Sequence, residues 1–220
     1  MSGSIEHPTD PDTYQAYDRD ENLVRPWALP GTPGLEHRIG GLEKQHLTGN
    51  VNYEPDNHQL MIEIRQKKID KIADELPPTE VYGDTDGDLL VIGWGGTYGS
   101  IYTAVNRAVE KGKKVAGAHV RHLSPMPNDL GKLIKGYKQV LVPELNMGQF
   151  RTIIRGKYLV DARGLNKVQG RPFLVEEVEQ AIDLMLGGEY GDREYLRPYQ
   201  GQVRLEDQDY DFTKINGRPE

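Results

Sequence analysis

From residue 88 onward the chain alternates short apolar runs with longer stretches whose apolar residues recur at helical spacing. Leu89–Trp94 has the composition of a buried strand, and the apolar residues of 98–109 fall on one helix face that Gly112 ends. Further strand-length runs lie at 115–120, 139–142 and 159–162. Further helical patterns lie at 129–134, 150–158 and 175–186. Because this alternation is typical of parallel βαβ units, the sequence predicts one α/β domain over residues 88–188.

The regions outside this domain differ from it in composition. Residues 1–21 are polar and nearly lack aliphatic side chains, which predicts a flexible leader. Residues 22–87 form a proline- and glycine-rich segment with a linker helix over 56–76, which Asp56 or Asn57 caps. The apolar face of that helix is expected to comprise Leu60, Ile64, Ile69, Ile72 and Leu76. Residues 189–220 are a polar tail without a periodic apolar pattern.

Composition excludes several classes of protein. A formal net charge of −7 argues against a nucleic-acid binder, because phosphate contacts require clustered Lys and Arg. With 0 Cys, the chain provides no thiolate for zinc or for an iron-sulfur cluster. No apolar run reaches the roughly 18 residues that a membrane-spanning helix requires, and the first residues lack a secretory signal, so we expect a cytoplasmic protein without membrane contact.

A glycine-rich loop follows the first strand of the α/β domain. It runs from Gly93 to Gly99, and its backbone N–H groups at Gly95, Gly96 and Thr97 form a candidate anion site at a helix N-terminus. Its spacing departs from the dinucleotide fingerprint, because Tyr98 occupies the position of the third glycine. Tight packing between strand and helix is therefore the favoured interpretation, with dinucleotide binding as the alternative.

Two groups of polar residues are candidates for catalysis. His37 and His46, with Glu36 and Glu43, lie in the glycine-rich segment, where a loop presents groups that titrate near neutral pH. Glu144 follows a strand, at the edge where α/β sheets bind ligands. For all of them hydrogen bonding within the fold is the favoured alternative.

Two further patterns favour structural roles. Asn146 as an N-cap, with Gln149 three residues later, has the spacing of a capping box for the following helix. His119 and His122 point to opposite faces of a strand end, so no metal site is predicted.

Five stretches together resemble a known family. They are PGTPGLEHRIGGLEK at 30–44, RQKKID at 65–70, LLVIGWGGTYG at 89–99, HLSPMP at 122–127 and PELNMGQ at 143–149. In this order they resemble the C-terminal part of the alpha subunit of 2-oxoacid:ferredoxin oxidoreductases, in particular the 2-oxoglutarate type. The resemblance extends from about Asn22 to Leu186.

The resemblance implies a transketolase C-terminal-like domain, a three-layer sandwich around a mostly parallel five-stranded sheet. It implies an oligomeric enzyme that converts 2-oxoglutarate oxidatively to an acyl-CoA and reduces ferredoxin, with coenzyme A as a further partner of the complex. Thiamine diphosphate, Mg and an iron-sulfur cluster are then held by the pyrimidine domain and the beta subunit, and this chain binds none of them.

The resemblance also limits the activity expected of this chain alone. In the family the pyrimidine domain, with its activating Glu, precedes the region that begins here near Asn22, where this sequence has a short polar leader. The chain is therefore expected to be inactive by itself and to serve as a structural and subunit-contact domain. A dinucleotide-binding domain of another oxidoreductase and a non-enzymatic interaction module are the alternatives.

Overall fold

The computed structural model describes residues 7–191 of the 220-residue chain. The described residues divide into two compact units, one made of 7–78 with 122–128 and the other of 79–121 with 129–191. The predicted leader is described from residue 7 onward, and the predicted tail lies outside the described residues from 192 onward.

The first unit contains one long helix, α1 (Pro55–Lys71), which continues as a short 3₁₀ helix, Ile72–Glu75. Glu54 occupies the N-cap position, so the predicted caps Asp56 and Asn57 are wrong. Pro55 begins the helix because its fixed φ suits the first turn and its missing N–H is not needed there.

The predicted apolar face of α1 is also largely wrong. Met61 and Ile64 are the buried residues of α1, whereas Leu60, Ile69 and Ile72 are exposed by 40%, 39% and 43%. Periodicity alone misplaced the face because aliphatic residues surround most of this helix, and only packing selects which side is buried.

The rest of the first unit is a loop region that backbone pairing holds in place. Tyr17 pairs with Leu47, where its N–H donates to the Leu47 carbonyl over 2.9 Å, and Lys44 pairs with Val51. Ala16 is buried beside this pairing. Gly49 has a φ of +76° and lies against the Tyr17 ring, where a Cβ would come within 2.7 Å of the ring. The segment thus needs glycine at this position.

The second unit is built on a five-stranded sheet with the strand order β1-β3-β2-β4-β5. The strands are β1 (Val81–Gly83), β2 (Leu89–Trp94), β3 (Val115–Val120), β4 (Gln139–Glu144) and β5 (Ala162–Asn166). Strands β2 to β5 pair in parallel, and β1 pairs antiparallel with β3. The predicted mostly parallel five-stranded sheet is therefore confirmed.

Helices cover both faces of this sheet. They are α2 (Tyr98–Glu110), α3 (Leu130–Lys135), α4 (Gln149–Tyr158) and α5 (Val175–Leu186). Helices α2 and α5 pack with Leu89 and Val91 in the main apolar cluster. Leu90 and Ile92 are equally buried and, by the alternation of a strand, point to the opposite face. The buried residues of α3 and α4 lie outside that cluster, which gives the predicted three-layer α/β sandwich.

Three strands differ from the sequence-based expectation, and β4 differs least, since it continues beyond 142 and ends at Glu144. Strand β1 was not predicted, because three residues at a sheet edge give too short a pattern. The predicted strand 159–162 is shifted: Leu159 ends α4 in the left-handed conformation with a φ of +54°, and β5 begins only at Ala162. The composition ARGLN disguises β5, because glycine and asparagine are rare in strands.

Strand β5 forms one edge of the sheet, and side chains cover part of its backbone. The Tyr190 hydroxyl donates to the Gly164 carbonyl over 2.6 Å, and Arg155 Nη1 donates to the Ala162 carbonyl over 3.1 Å. Carbonyls occupied in this way are not available to pair with the strand of another chain.

None of the helices within residues 7–191 is both long enough and apolar enough to cross a membrane.

Candidate functional site

The carboxyl ends of four parallel strands meet at one edge of the sheet in the second unit. Trp94 ends β2, Glu144 ends β4 and Asn166 ends β5. Open α/β sheets bind ligands at such an edge, because the loops after the strands diverge there. The candidate residues of the second unit lie at this edge.

Glu144 is a fully buried carboxylate, with 0% of its surface exposed, and three donors bind it. Its Oε1 accepts from the indole Nε1 of Trp94 over 3.2 Å and from the Phe150 N–H over 2.9 Å. Its Oε2 accepts from the Arg151 N–H over 2.9 Å. The Glu144 side chain thus accepts hydrogen bonds from the first turn of α4. Through Trp94 it also joins β4 to β2.

Asn146 completes the cap of the same helix. Its Oδ1 accepts from the Gly148 N–H over 2.7 Å and from the Gln149 N–H over 3.4 Å. The expectation that Asn146 is the N-cap is wrong, since Gly148 occupies that position with a φ of +91°. Glu144 and Asn146 together satisfy the N–H groups of 148–151, so the start of α4 has no such donor left for an anion.

The predicted anion loop after β2 is a single 3₁₀ turn, Gly95–Thr97, before α2. The Thr97 hydroxyl accepts from the Trp94 N–H over 3.2 Å and donates to the Trp94 carbonyl over 2.8 Å, which closes the turn. A Cβ at Gly93 would come within 2.5 Å of Ile101, whereas Gly95 and Gly96 face open space. Packing therefore accounts for Gly93, while anion binding by the other glycines remains a prediction.

The loops after β4 and β5 are joined by polar contacts. Asn166 Nδ2 donates to the Asn146 carbonyl over 3.0 Å, and the Lys167 N–H donates to the Glu144 carbonyl over 3.0 Å. The Lys167 ammonium lies 2.8 Å from Glu177 Oε2, and both side chains are buried. A buried pair of this kind fixes the loop between β5 and α5, because losing one partner leaves a charge without compensation.

The other predicted candidates lie in the first unit. The side chain of Glu36 is exposed to solvent. His37 Nδ1 lies 3.0 Å from the Leu35 carbonyl and 3.2 Å from the Tyr14 hydroxyl. The His46 N–H donates to Asn57 Oδ1 over 3.0 Å, and its buried Nδ1 has no hydrogen-bond partner within residues 7–191. Within residues 7–191, no hydrogen bond joins Glu36, His37 and His46 to one another. Their catalytic role remains a prediction.

Glu43, a candidate from the sequence, lies in a charged cluster that the sequence pattern did not predict. Arg65 binds both carboxylate oxygens over 3.3 Å, and His58 Nδ1 lies 2.7 Å from Oε2. The hydrogen bond from Arg65, with smaller contributions from His58 and the Lys44 N–H, lowers the pKa of Glu43 to about 2 against the opposing effect of burial. The sequence gives little sign of this cluster, because its members are separated by up to 22 residues.

The neighbouring Lys44 is the second feature that the sequence concealed. Its side chain is only 3% exposed, and its ammonium donates to the carbonyls of Gly40 and Leu42. The ammonium thus binds two carbonyls of its own glycine-rich loop. Asn57 Nδ2 in turn donates to the Lys44 carbonyl over 2.9 Å. These contacts lie in the segment that carries part of the family resemblance.

Side chains that could hold a metal ion are not clustered in the part of the chain that the structure describes. No cluster of three or more His, Asp or Glu side chains suited to a cation occurs within residues 7–191. The buried carboxylate at the sheet edge, Glu144, is already bound by Trp94, Phe150 and Arg151. Accordingly, no step through such a group is assigned to these side chains.

Substituting Gly93 tests whether the loop after β2 is set by packing. We expect Gly93→Ala to lower the free energy of unfolding by about 1–3 kcal/mol, since the new methyl group overlaps Ile101. Gly96→Ala is the matched control and should change it by less than about 1 kcal/mol, because nothing lies within 4 Å of its Cβ position. Urea denaturation measures both values. Equal effects of the two substitutions would contradict the packing argument.

Substituting Glu144 tests its role as the anchor of α4. Glu144→Gln turns an acceptor oxygen into a donor that faces backbone N–H groups, so unfolding should become easier by about 2–3 kcal/mol. Glu110→Gln, at an exposed position of α2, should have an effect below about 0.5 kcal/mol. Urea denaturation monitored by circular dichroism compares the two variants. A stability unchanged by Glu144→Gln would refute the anchoring role.

The lowered pKa of Glu43 predicts a pH dependence of stability. Because the folded value of about 2 lies below the unfolded value of about 4.3, the contribution of Glu43 is fully present above about pH 5 and is lost as the pH falls toward 2. The unfolding free energy of the wild type should exceed that of Glu43→Gln by about 1 kcal/mol at pH 6. The difference should shrink at pH 3. A difference that grows on acidification would contradict this assignment.

The chain is similar to alpha subunits of known oxidoreductases, although no protein-family model matches it. It is 49% identical over 183 residues to the 2-oxoglutarate oxidoreductase subunit KorA of Mycobacterium tuberculosis, covering 82% of this chain and 28% of that protein. It is 29% identical over 191 residues to the alpha subunit of 2-oxoacid:ferredoxin oxidoreductase 1 of Aeropyrum pernix, covering 82% of this chain and 29% of that protein.

A solved structure supports the same relationship. The 2-oxoglutarate:ferredoxin oxidoreductase from Magnetococcus marinus, with 2-oxoglutarate, coenzyme A and succinyl-CoA bound, superposes with a TM-score of 0.72 at 33% identity. The match covers 78% of this chain and 30% of that one. The chain therefore spans less than a third of the length of these relatives. It is, over most of its own length, a homologue of part of the 2-oxoacid:ferredoxin oxidoreductase alpha subunits, as its sequence motifs predicted.

Proposed function

We propose that this chain works as the C-terminal structural and subunit-contact part of the alpha subunit of a 2-oxoglutarate:ferredoxin oxidoreductase. The 49% identity to the Mycobacterium tuberculosis subunit is the observation that carries the proposal. The superposition on the Magnetococcus marinus enzyme supports it independently of that relative. We infer the preference for 2-oxoglutarate over other 2-oxoacids from the likeness to these two proteins, whose names specify 2-oxoglutarate.

The reaction of the whole enzyme is the oxidative decarboxylation of 2-oxoglutarate. The 2-oxoacid loses CO₂, its acyl group passes to the thiol of coenzyme A, and the electrons released reduce ferredoxin. The ligands of the Magnetococcus marinus enzyme, 2-oxoglutarate, coenzyme A and succinyl-CoA, correspond to the substrates and the product of this scheme.

The reactive cofactors are assigned to other parts of the complex. Thiamine diphosphate supplies the carbanion chemistry when it is bound, and we place it with Mg between the pyrimidine domain and the beta subunit. We place the iron-sulfur cluster on the beta subunit. This chain has 0 Cys and therefore offers the cluster no thiolate ligand. Glu144 does not serve as the activating carboxylate, since the start of α4 and Trp94 occupy its oxygens.

This chain contributes rigid support to that assembly. The loops after β2, β4 and β5 are fixed to one another through Glu144, Asn146 and Asn166, and the loop before α5 is fixed by the Lys167–Glu177 pair. A surface that keeps its shape without a partner loses little entropy when a second subunit binds it. The complex is assigned to the cytoplasm, where coenzyme A and oxidised ferredoxin are available.

A chimeric enzyme tests the proposal. The 183 aligned residues of the Mycobacterium tuberculosis subunit are replaced by this chain, and the chimera is produced with its companion subunit. We expect reduction of ferredoxin that depends on both 2-oxoglutarate and coenzyme A, within about tenfold of the parent rate. A subunit from which the same residues are deleted is the matched control and should be inactive. An assembled chimera that prefers another 2-oxoacid, or turns over none, would contradict the proposal.

A further inference from the structure

Two arginines of the first unit share one tyrosine ring. The guanidinium carbon of Arg25 lies 4.2 Å from the centre of the Tyr17 ring, and that of Arg19 lies 5.1 Å from it. The two cations are therefore within about 10 Å of each other, a distance at which physiological salt does not screen their repulsion completely. Bringing like charges together in this way costs free energy unless an anion compensates them.

Neither arginine has a carboxylate partner within residues 7–191. Carboxylates are not scarce in this chain, which has 34 Asp and Glu against 27 Lys and Arg. The nearby Arg65, by contrast, binds both oxygens of Glu43. The described fold thus compensates the charge of Arg65 and leaves those of Arg19 and Arg25 without a counter-ion.

Arg19 is held in place and partly withdrawn from water. Its Nη1 donates to the Tyr17 carbonyl over 3.3 Å, and its Nη2 lies 4.0 Å from the sulfur of the buried Met61. Burial lowers the pKa of Arg19, and the charges of Arg25 and Arg65 lower it further, whereas Tyr17 acts in the opposite direction. A bound anion would relieve this cost, because it compensates a cation that has lost part of its hydration.

Arg25 contacts the described protein through the face of an aromatic ring and not through its N–H donors. Its guanidinium makes no hydrogen bond within residues 7–191. The group has five N–H donors, arranged so that two of them fit two oxygens of one oxyanion. The contact with Tyr17 therefore orients Arg25 without consuming the atoms that recognise an anion.

The Tyr17 ring that carries both arginines is fixed by its surroundings. The Tyr17 N–H donates to the Leu47 carbonyl over 2.9 Å, and the ring lies against Gly49, where a Cβ would come within 2.7 Å of it. The two cations are thus positioned before a ligand arrives, which lowers the entropic cost of binding.

We propose that Arg19 and Arg25 form a binding site for a phosphate group. Arg25 contributes a bidentate contact, and Arg19 contributes a second positive charge. A phosphate group carries a charge of about −1.5 to −2 at neutral pH, which matches two cations better than a single carboxylate does. Free phosphate and the phosphate ester of a small metabolite offer this same chemistry. The site does not rest on the proposed function of the chain.

Thermal unfolding of the full chain tests the site. At constant ionic strength, replacing chloride by phosphate should raise the thermal midpoint in a saturable way, because a ligand of the folded state stabilises that state. Arg25→Gln should raise the fitted Kd for phosphate at least about tenfold. Arg38→Gln is the matched control, since Arg38 is an exposed arginine of the same unit, and should change Kd by less than about twofold.

Nuclear magnetic resonance of the arginine side chains separates binding from a role in packing. Phosphate should shift the Nε–Hε signals of Arg19 and Arg25 with one common Kd and leave the signal of Arg38 in place. If contact with Tyr17 were the whole role of Arg25, Arg25→Gln would lower the thermal midpoint equally in chloride and in phosphate, and this result would contradict the proposal.

Adenosine monophosphate distinguishes the two sources of the phosphate group. A Kd close to that of inorganic phosphate supports a site for the free ion, and a Kd at least about tenfold lower supports a site for a phosphate ester. Equal midpoints of the wild type in phosphate and chloride would overturn the inference. Tighter binding of succinate than of phosphate would overturn the ligand class. Neither result bears on the proposed function, which the chimera tests separately.

Discussion

The buried carboxylate of Glu144 is the point from which the arrangement of the second unit follows. Its two oxygens accept hydrogen bonds from the indole of Trp94 and from the first turn of α4, and thereby join the ends of β2 and β4 to one helix. A carboxylate removed from water is costly unless donors replace its solvation, and three donors do so here. The end of β2, the end of β4 and the start of α4 therefore depend on this one side chain.

This arrangement has a direct consequence for function. The carboxylate of Glu144 already accepts from an indole and two backbone N–H groups, and the N–H groups of 148–151 at the start of α4 are bound by Glu144 and Asn146. At the start of α4, the edge that α/β sheets commonly use for ligands is thus occupied by the protein's own side chains, whereas Gly95 and Gly96 after β2 face open space. These contacts are in keeping with the structural role proposed for this chain.

Much of the fold could be predicted because local patterns determine it. Strands β2, β3 and β4 are continuous apolar runs, and α2 and α5 carry one apolar face each, so periodicity alone located them. Strand β5 was displaced in the prediction because its composition is poor for a strand and pairing with β4 overrides it. The buried face of α1 was misjudged because aliphatic residues lie on several of its sides.

The site was less predictable, since its residues meet across long stretches of sequence. Glu144 was recognised as a strand-end carboxylate, but its bond to Trp94 joins positions 50 residues apart. The cluster of Glu43 with Arg65 and His58 has no local pattern, because helix α1 brings Arg65 and His58 to a loop far away in sequence. The family motifs mark the segments that contain Glu43 and Glu144. The contacts of these residues appear only in the folded chain.

Amide hydrogen exchange at Phe150 and Arg151 measures the central interaction most directly. If the carboxylate of Glu144 holds these two N–H groups, they exchange as slowly as amides in the middle of α4, although the first turn of a helix has no carbonyl partner for them. Exchange at the rate of solvent-exposed amides, in a chain whose β4 amides stay protected, would contradict the account.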